Sequence, residues 1–113
     1  MSVSVLIVDD EAPARARLRD LLADAAAEVP NEVVAEAANG QLAVEVLASR
    51  PVDLALIDIR MPTMDGIELA RHLARLETPP AIVFVTAYDS YAVQAFELNA
   101  IDYLLKPVRL PRL

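Results

Sequence analysis

Acidic side chains follow two apolar stretches of this sequence. Asp9 and Asp10 come directly after the run 3–8, and Asp58 lies in the C-terminal part of the run 52–59. Carboxylates held a few ångströms apart repel each other by about 1 to 4 kcal/mol at the dielectric of water or of a protein surface. A hard divalent cation relieves this repulsion. Mg2+ binds a few carboxylates and keeps waters that phosphate oxygens can replace, and a carboxylate beside it can attack phosphorus. The three aspartates therefore predict a Mg2+ site with aspartyl-phosphate chemistry, provided that the fold brings them together.

Two further polar side chains end apolar runs. Thr86 closes the run 81–86, and Lys106 follows the run 102–105. A lysine ammonium can neutralise a phosphoryl oxygen, and a threonine hydroxyl can donate a hydrogen bond to it. Phosphoryl transfer depends mainly on such positioning and charge, so both residues join the candidate site.

Alternating strand and helix patterns would position these residues. Short apolar runs cover residues 3–8, 32–37, 52–59, 81–86 and 102–105, and helical spacings of apolar residues lie between them, around 18–25, 43–47, 69–76 and 92–96. Several runs are too uniformly apolar for a sheet with one solvated face. The alternation predicts an α/β, doubly wound fold with a parallel sheet, in which functional residues gather at the carboxyl ends of the strands.

Composition narrows the class of protein. The 113 residues are 56% hydrophobic, which fits one domain spanning 1–113, and no apolar run approaches the length of a membrane span. The formal net charge of −7 argues against direct binding to nucleic acid. The absence of cysteine excludes disulfides and thiolate metal sites. A cytoplasmic location, without membrane contact, is expected.

Several short motifs, in order along nearly the whole chain, carry a family resemblance: Val8-Asp9-Asp10-Glu11, Asp58-Ile59-Arg60-Met61-Pro62 with Asp65-Gly66, Thr86-Ala87 and Lys106-Pro107. Together they resemble the receiver domains of bacterial two-component response regulators. The segments 87–96 and 102–109 are similar to receivers joined to LytTR-type DNA-binding domains. The resemblance implies a flavodoxin-like fold with a five-stranded parallel sheet in the order 2-1-3-4-5.

The resemblance also implies a role for each matching position. Asp58 would be the phosphoacceptor, and Lys106 would pair with the phosphoryl group. The implied Mg2+ ligands are Asp10 and Asp58 directly, Arg60 through its backbone carbonyl and Asp9 through a water. Thr86 and Tyr103 match the switch pair of the family.

The implied function is that of a signalling switch. A sensor histidine kinase would phosphorylate Asp58, and the rearranged surface would change homodimerisation. Such a domain is not an enzyme in the metabolic sense, although it catalyses its own phosphorylation and dephosphorylation. Only residues 108–113 follow Pro107, so the final helix is expected to be truncated, and DNA binding and transcription regulation would need a C-terminal domain absent from the chain.

Two other functions share part of the pattern. A phosphohydrolase with an aspartyl nucleophile would have the same acidic cluster but would need a substrate-selecting cap, for which the chain has no room. An interaction module independent of phosphorylation would keep the fold without the switch, yet Asp10, Asp58, Thr86 and Lys106 are all present. The run of Arg15, Arg17 and Arg19 is interpreted as a solvated helix face, and His72 is assigned no function.

Overall fold

The protein folds as alternating strands and helices. The computed structural model describes residues 2–59, 61 and 64–86, together with the backbone of residues 102–105. In chain order the elements are β1 (Val3–Val8), α1 (Ala12–Ala25), β2 (Asn31–Ala37), α2 (Gly40–Ser49), β3 (Leu54–Ile57), α3 (Gly66–Leu73), β4 (Ala81–Thr86) and β5 (Asp102–Leu105). The helix expected around 92–96 and the truncated final helix fall outside the described residues.

The strands form one parallel sheet in the order β2-β1-β3-β4-β5. This confirms the predicted doubly wound fold and its strand order. The order reverses at β1, which pairs with β2 on one side and with β3 on the other. Because Val8 is the register partner of Ile57, the residues that follow β1 and β3 leave the sheet side by side.

Helices cover both faces of the sheet and explain the uniformly apolar strands. On one face, Leu6 and Val8 belong to a buried cluster with residues of α2 and α3. On the other face, Val5 and Ile7 belong to a cluster with Leu18 and its neighbours on α1. Burying one such aliphatic side chain contributes about 1.5–3 kcal/mol relative to leaving it exposed. The core therefore fixes the strands whose ends carry the acidic residues.

Side-chain caps begin the second and third helices. The Asn39 side chain accepts a hydrogen bond from the Leu42 backbone N–H at 2.9 Å, and the Asp65 side chain accepts one from Glu68 N–H, also at 2.9 Å. Both caps satisfy donors that the first helical turn leaves unpaired. Within the described ranges, no helix is both long and apolar enough to cross a membrane.

The interpretation of the arginine run as a solvated face is wrong for Arg15. Only 20% of its side-chain surface is exposed, and its Nε lies 3.2 Å from Glu36 Oε1 on β2. Arg19 is about half exposed and pairs with the other oxygen of Glu36. Helical spacing puts Arg15 and Arg19 one turn apart, but only the fold reveals their shared partner 21 and 17 residues along the chain.

Candidate functional site

Three aspartates meet at the carboxyl edge of the sheet. Asp9 and Asp10 follow β1, and Asp58 is the first residue after β3 rather than part of the strand. Each contributes a carboxylate oxygen to a group whose atoms all lie within 4.8 Å of one another. Asp9 and Asp58 are buried, with 1% and 6% of their surface exposed, whereas Asp10 is exposed. The structure thus brings together the three carboxylates that the sequence predicts as a site.

Backbone hydrogen bonds fix both aspartate-bearing turns to the sheet. Asp9 N–H donates to Ala37 O on β2 at 3.1 Å, and Asp58 N–H donates to Val8 O on β1 at 2.9 Å. Asp9 Oδ1 also accepts a hydrogen bond from Glu11 N–H at 2.9 Å, which closes the turn into α1. The Asp9 carboxylate therefore shapes the turn in addition to adding charge to the cluster.

Thr86 lies at the same edge of the sheet. It is the last residue of β4 and is fully buried. Phe84, two residues earlier, is the register partner of Ile57, so Thr86 ends its strand beside the turn that carries Asp58. Thr86 therefore lies at the carboxyl edge of the sheet, on the strand next to the one that Asp58 follows, and its role in the site stays a prediction.

Other predicted site residues lie wholly or partly outside the described residues. Arg60 and Lys106 are among them. The backbone of Tyr103 lies in β5, where it pairs with Phe84, and Leu105, the residue before Lys106, pairs with Thr86. Roles for the Arg60 carbonyl, the Lys106 ammonium and the Tyr103 ring stay predictions.

The donor set fits a hard divalent cation. It consists of carboxylate oxygens, which Mg2+ and Ca2+ prefer to nitrogen or sulfur ligands. Two of the three carboxylates are buried, and burying like charges together is costly unless a counter-charge compensates them. The cluster can therefore bind a metal ion. His72 is exposed at the end of α3, consistent with its having no assigned role.

The family of the chain follows from comparison with known proteins. The sequence model of the family described as the response regulator receiver domain matches residues 5–113 of this chain. The chain belongs to the response regulator receiver family. This membership confirms the family predicted from the aspartate, threonine and lysine motifs.

Curated relatives of this receiver domain are themselves regulators. It is 48% identical over 110 residues to an uncharacterised response regulatory protein of Vibrio cholerae, covering 97% of this chain and 41% of the relative. It is 44% identical over 109 residues to the positive alginate biosynthesis regulatory protein of Pseudomonas aeruginosa, covering 95% and 42%. Its identity to the sensory transduction protein LytT of Bacillus anthracis is 46% over 105 residues, covering 93% and 42%. These relatives confirm the predicted similarity to receivers of LytTR-type regulators, and the chain spans less than half of their length.

Solved receiver structures share the fold. The response regulatory domain of mrkE from Klebsiella pneumoniae superposes with a TM-score of 0.89 at 37% identity, covering 96% of this chain and 87% of that one. The receiver domain of AraT from Geobacillus stearothermophilus gives a TM-score of 0.85 at 41% identity, covering 99% and 87%. The flavodoxin-like receiver fold predicted from the sequence is therefore confirmed.

Gly66 is a site-shaping residue of this receiver domain to which the sequence analysis assigned no role. Its N–H donates to Ile59 O at 2.7 Å. A Cβ at this position would lie 2.3 Å from Asp58 O and 2.8 Å from Ile59 Cα, distances that side-chain carbons do not tolerate. Any larger residue would displace the backbone that carries Asp58. The available signal is a glycine directly after the helix cap Asp65, in a chain with only two glycines.

Proposed function

We propose that this receiver domain accepts a phosphoryl group on the Asp58 carboxylate, with Mg2+ as the required cation. The observation that carries the proposal is the cluster of three carboxylates, whose ligand oxygens lie within 4.8 Å of one another at the carboxyl edge of a parallel sheet. The cluster favours a cation-dependent function over a phosphorylation-independent module, because buried like charges repel unless a counter-charge compensates them.

Asp58 is the best nucleophile of the three because of its place in the sheet. It follows β3, which pairs with β1 on one side and β4 on the other. Asp58 therefore lies between the strand end that carries Asp9 and Asp10 and the strand end that carries Thr86. Asp9 is less suited, since the residue is only 1% exposed and its Oδ1 accepts the Glu11 N–H that closes its own turn.

The transfer itself is a simple displacement at phosphorus. A carboxylate oxygen of Asp58 forms the new O–P bond, the bond between phosphorus and the donor breaks, and the donor leaves with that electron pair. Bound Mg2+ would supply charge neutralisation to the phosphoryl oxygens. Asp10 and Asp58 would hold the ion directly, Asp9 through a water, and Arg60 through its backbone carbonyl.

Residues at the ends of β4 and β5 would stabilise the product. The Thr86 hydroxyl would donate a hydrogen bond to a phosphoryl oxygen, and the Lys106 ammonium would pair with another. Thr86 with Tyr103 would then report the phosphorylated state to the surface. The domain turns over no metabolite and catalyses only its own phosphorylation and dephosphorylation.

Membership of the receiver family supports a proposal for the physiological donor and for the output. We assign the donor to a sensor histidine kinase in the cytoplasm and the output to altered homodimerisation. Two relatives are named as a biosynthesis regulatory protein and a sensory transduction protein. DNA binding and transcription control would reside in a further domain, because the described domain is acidic overall.

Intact-mass spectrometry tests this function. The wild-type chain, incubated with acetyl phosphate and Mg2+, should gain one phosphoryl group, and EDTA should prevent the gain. Asp58→Asn should abolish labelling because it removes the nucleophile. Asp24→Asn is the matched control, since it removes an exposed aspartate from α1, away from the cluster, and it should label like wild type.

Two results would overturn the proposal. Labelling of Asp58→Asn to the wild-type level would exclude Asp58 as the acceptor. Failure of the wild-type chain to label under conditions in which it binds Mg2+ would favour the interaction module instead.

A further inference from the structure

Arg15 links the acidic cluster to the edge strand of the sheet. Its Nη1 donates to Asp9 O at 2.7 Å, and its Nε donates to Glu36 Oε1 at 3.2 Å. The second oxygen of Glu36 pairs with Arg19. Arg15 and Glu36 are partly buried, with 20% and 25% of their side chains exposed.

Arg15 contacts the carbonyl oxygen of the peptide bond that joins Asp9 and Asp10. Asp9 O belongs to the peptide unit whose N–H is that of Asp10. A guanidinium holds its donors in a rigid plane, so one arginine that bridges two acceptors fixes their relative positions. Fixing the Asp9 carbonyl fixes the plane of that peptide, and with it the position of the Asp10 Cα from which the side chain leaves the backbone.

The same turn is tied to β2 by a second route. Asp9 N–H donates to Ala37 O on β2, while Asp9 O reaches Glu36, the preceding residue of β2, through Arg15. Both polar backbone groups of Asp9 are thus anchored to adjacent residues of one strand. This anchor is additional to the hydrogen bond from Glu11 N–H to Asp9 Oδ1, which closes the turn.

We propose that Arg15 is a positioning residue for the acidic cluster, with Glu36 as the residue that orients it. Arg15 presets the Asp9–Asp10 peptide so that both carboxylates meet a divalent cation without rearrangement. Its positive charge, close to this peptide, also offsets part of the repulsion among the three aspartates. The inference rests on the proposed function in so far as it concerns Mg2+, but its structural part concerns the metal-free chain.

Paired arginine variants test the inference. Arg15→Ala should weaken Mg2+ binding by about tenfold, the lower end of the effect that residues supporting metal ligands have on affinity. Arg19→Ala is the matched control. It removes the same charge and a contact to the same glutamate, yet leaves the Asp9 contact in place, and it should bind Mg2+ nearly as wild type does. Arg15→Lys keeps the charge without the two-acceptor geometry and should fall between Arg15→Ala and wild type.

A second readout is independent of metal and of phosphorylation. Amide hydrogen exchange of Asp9 and Glu11, whose N–H groups are hydrogen-bonded, measured by NMR in EDTA, should accelerate several-fold in Arg15→Ala and stay near wild type in Arg19→Ala. Glu36→Gln should give a smaller acceleration of the same amides, because it weakens the group that orients Arg15. An effect of stability alone would accelerate the amides of the core strands in equal measure.

The outcomes separate this inference from the proposed function. If Arg15→Ala and Arg19→Ala match each other in both Mg2+ affinity and local exchange while wild type is labelled by acetyl phosphate, the positioning role is wrong and the function stands. If wild type is not labelled but Arg15→Ala alone loosens the Asp9–Asp10 turn, the positioning role stands and the function is wrong. Labelling of Arg15→Ala should be slower than that of wild type at low Mg2+. It should approach the wild-type rate as Mg2+ approaches saturation, because excess cation compensates for a poorly preset site.

Discussion

The three aspartates of the cluster are chemically alike but structurally unequal. Asp9 is buried and its Oδ1 closes the turn into α1 through Glu11 N–H. Asp10 is exposed, and Asp58 is buried after the central strand. Each adds a negative charge to the group, whereas the turn-closing hydrogen bond to Glu11 N–H is specific to Asp9. Substitution should therefore separate charge repulsion from local hydrogen bonding.

Asparagine and alanine variants provide that separation in the metal-free chain. In EDTA, Asp10→Asn should raise the free energy of unfolding by about 1 kcal/mol, because it removes one of three mutually repelling charges. Asp9→Asn and Asp9→Ala both remove a charge, but only asparagine keeps an acceptor for Glu11 N–H. Asp9→Asn should therefore be more stable than Asp9→Ala by about 1 kcal/mol, the typical net value of one hydrogen bond. Thermal or urea unfolding measures both differences.

Asp24→Asn serves as the control for the loss of a surface charge from a chain of net charge −7. A gain in stability equal to that of Asp10→Asn would attribute the effect to net charge rather than to the cluster. Equal stability of the two Asp9 variants would show that the turn does not depend on the carboxylate.

At the scale of elements, the two helices that begin at glycine impose different constraints. Both Gly40 and Gly66 follow a capping residue, Asn39 or Asp65. A Cβ at Gly40 would meet the side chain of Met64, 2.8 Å from Sδ, whereas a Cβ at Gly66 would meet the backbone of Asp58 and Ile59. An unbranched methionine side chain can rotate away more easily than a peptide can move.

Matched glycine substitutions should therefore have unequal effects. Gly66→Ala is expected to lower stability by about 1–3 kcal/mol, the usual cost of forcing extra volume into a packed site, and to weaken Mg2+ binding because Asp58 moves. Gly40→Ala should cost less, because its Cβ would meet the flexible Met64 side chain rather than backbone. Urea unfolding and Mg2+ titration of both variants test the expectation, and it is wrong if Gly40→Ala weakens Mg2+ binding as much as Gly66→Ala.

The sequence predicted the limits of individual strands more closely than it predicted contacts between distant segments. The limits of β1 and β4 follow directly from apolar runs that end at Asp9 and at Thr86. The third strand was predicted two residues too long at each end, because Val52 and Ile59 are buried without being in the strand. An apolar run indicates that its residues are buried. Its limits match those of a strand only where the backbone is also hydrogen-bonded to a neighbouring strand.

Contacts between distant segments lay beyond the sequence pattern. The spacing of Arg15 and Arg19 indicates one helix face, but nothing local indicates Glu36 as their common partner. Likewise, the closeness of Gly66 to the Asp58 backbone depends on how the turn after β3 folds back. The aspartate cluster could be predicted because a general rule places functional residues at the carboxyl ends of parallel strands.

At the scale of the whole molecule, the two ends of the strands carry different polar groups: hydrogen-bonded neutral groups around one carboxylate at the amino ends and a cluster of carboxylates at the carboxyl ends. At the amino ends, Ser4 N–H and Oγ–H donate to Asp53 Oδ2 at 2.9 and 3.1 Å, and Ala81 N–H donates to Asp53 O at 3.0 Å. These bonds connect β1, the segment before β3 and the start of β4. The Asp53 carboxylate thus has neutral hydrogen-bond donors as its partners. At the carboxyl ends, three carboxylates converge. The free energy gained by burying the apolar core between the two ends offsets the repulsion among these three carboxylates.

Cation binding to the charged end should therefore stabilise the whole domain. A ligand that binds only the folded chain adds about 1.4 kcal/mol for each tenfold rise in concentration above its dissociation constant. For a domain of this size, 1 kcal/mol corresponds to a shift in melting temperature of about 4 °C. The melting temperature of wild type should thus rise steadily with Mg2+ once the site begins to fill. Asp10→Asn should start from a higher value in EDTA and rise far less.

The net charge of −7 requires a control for general screening. Divalent cations weaken repulsion over the entire surface, so each Mg2+ series is paired with NaCl at equal ionic strength, and Asp24→Asn is melted alongside. The response to NaCl should be common to all three chains, and the additional response to Mg2+ should belong to wild type and Asp24→Asn. If Asp10→Asn rises in parallel with them, Mg2+ acts on net charge alone and the carboxyl edge of the sheet is not its binding site.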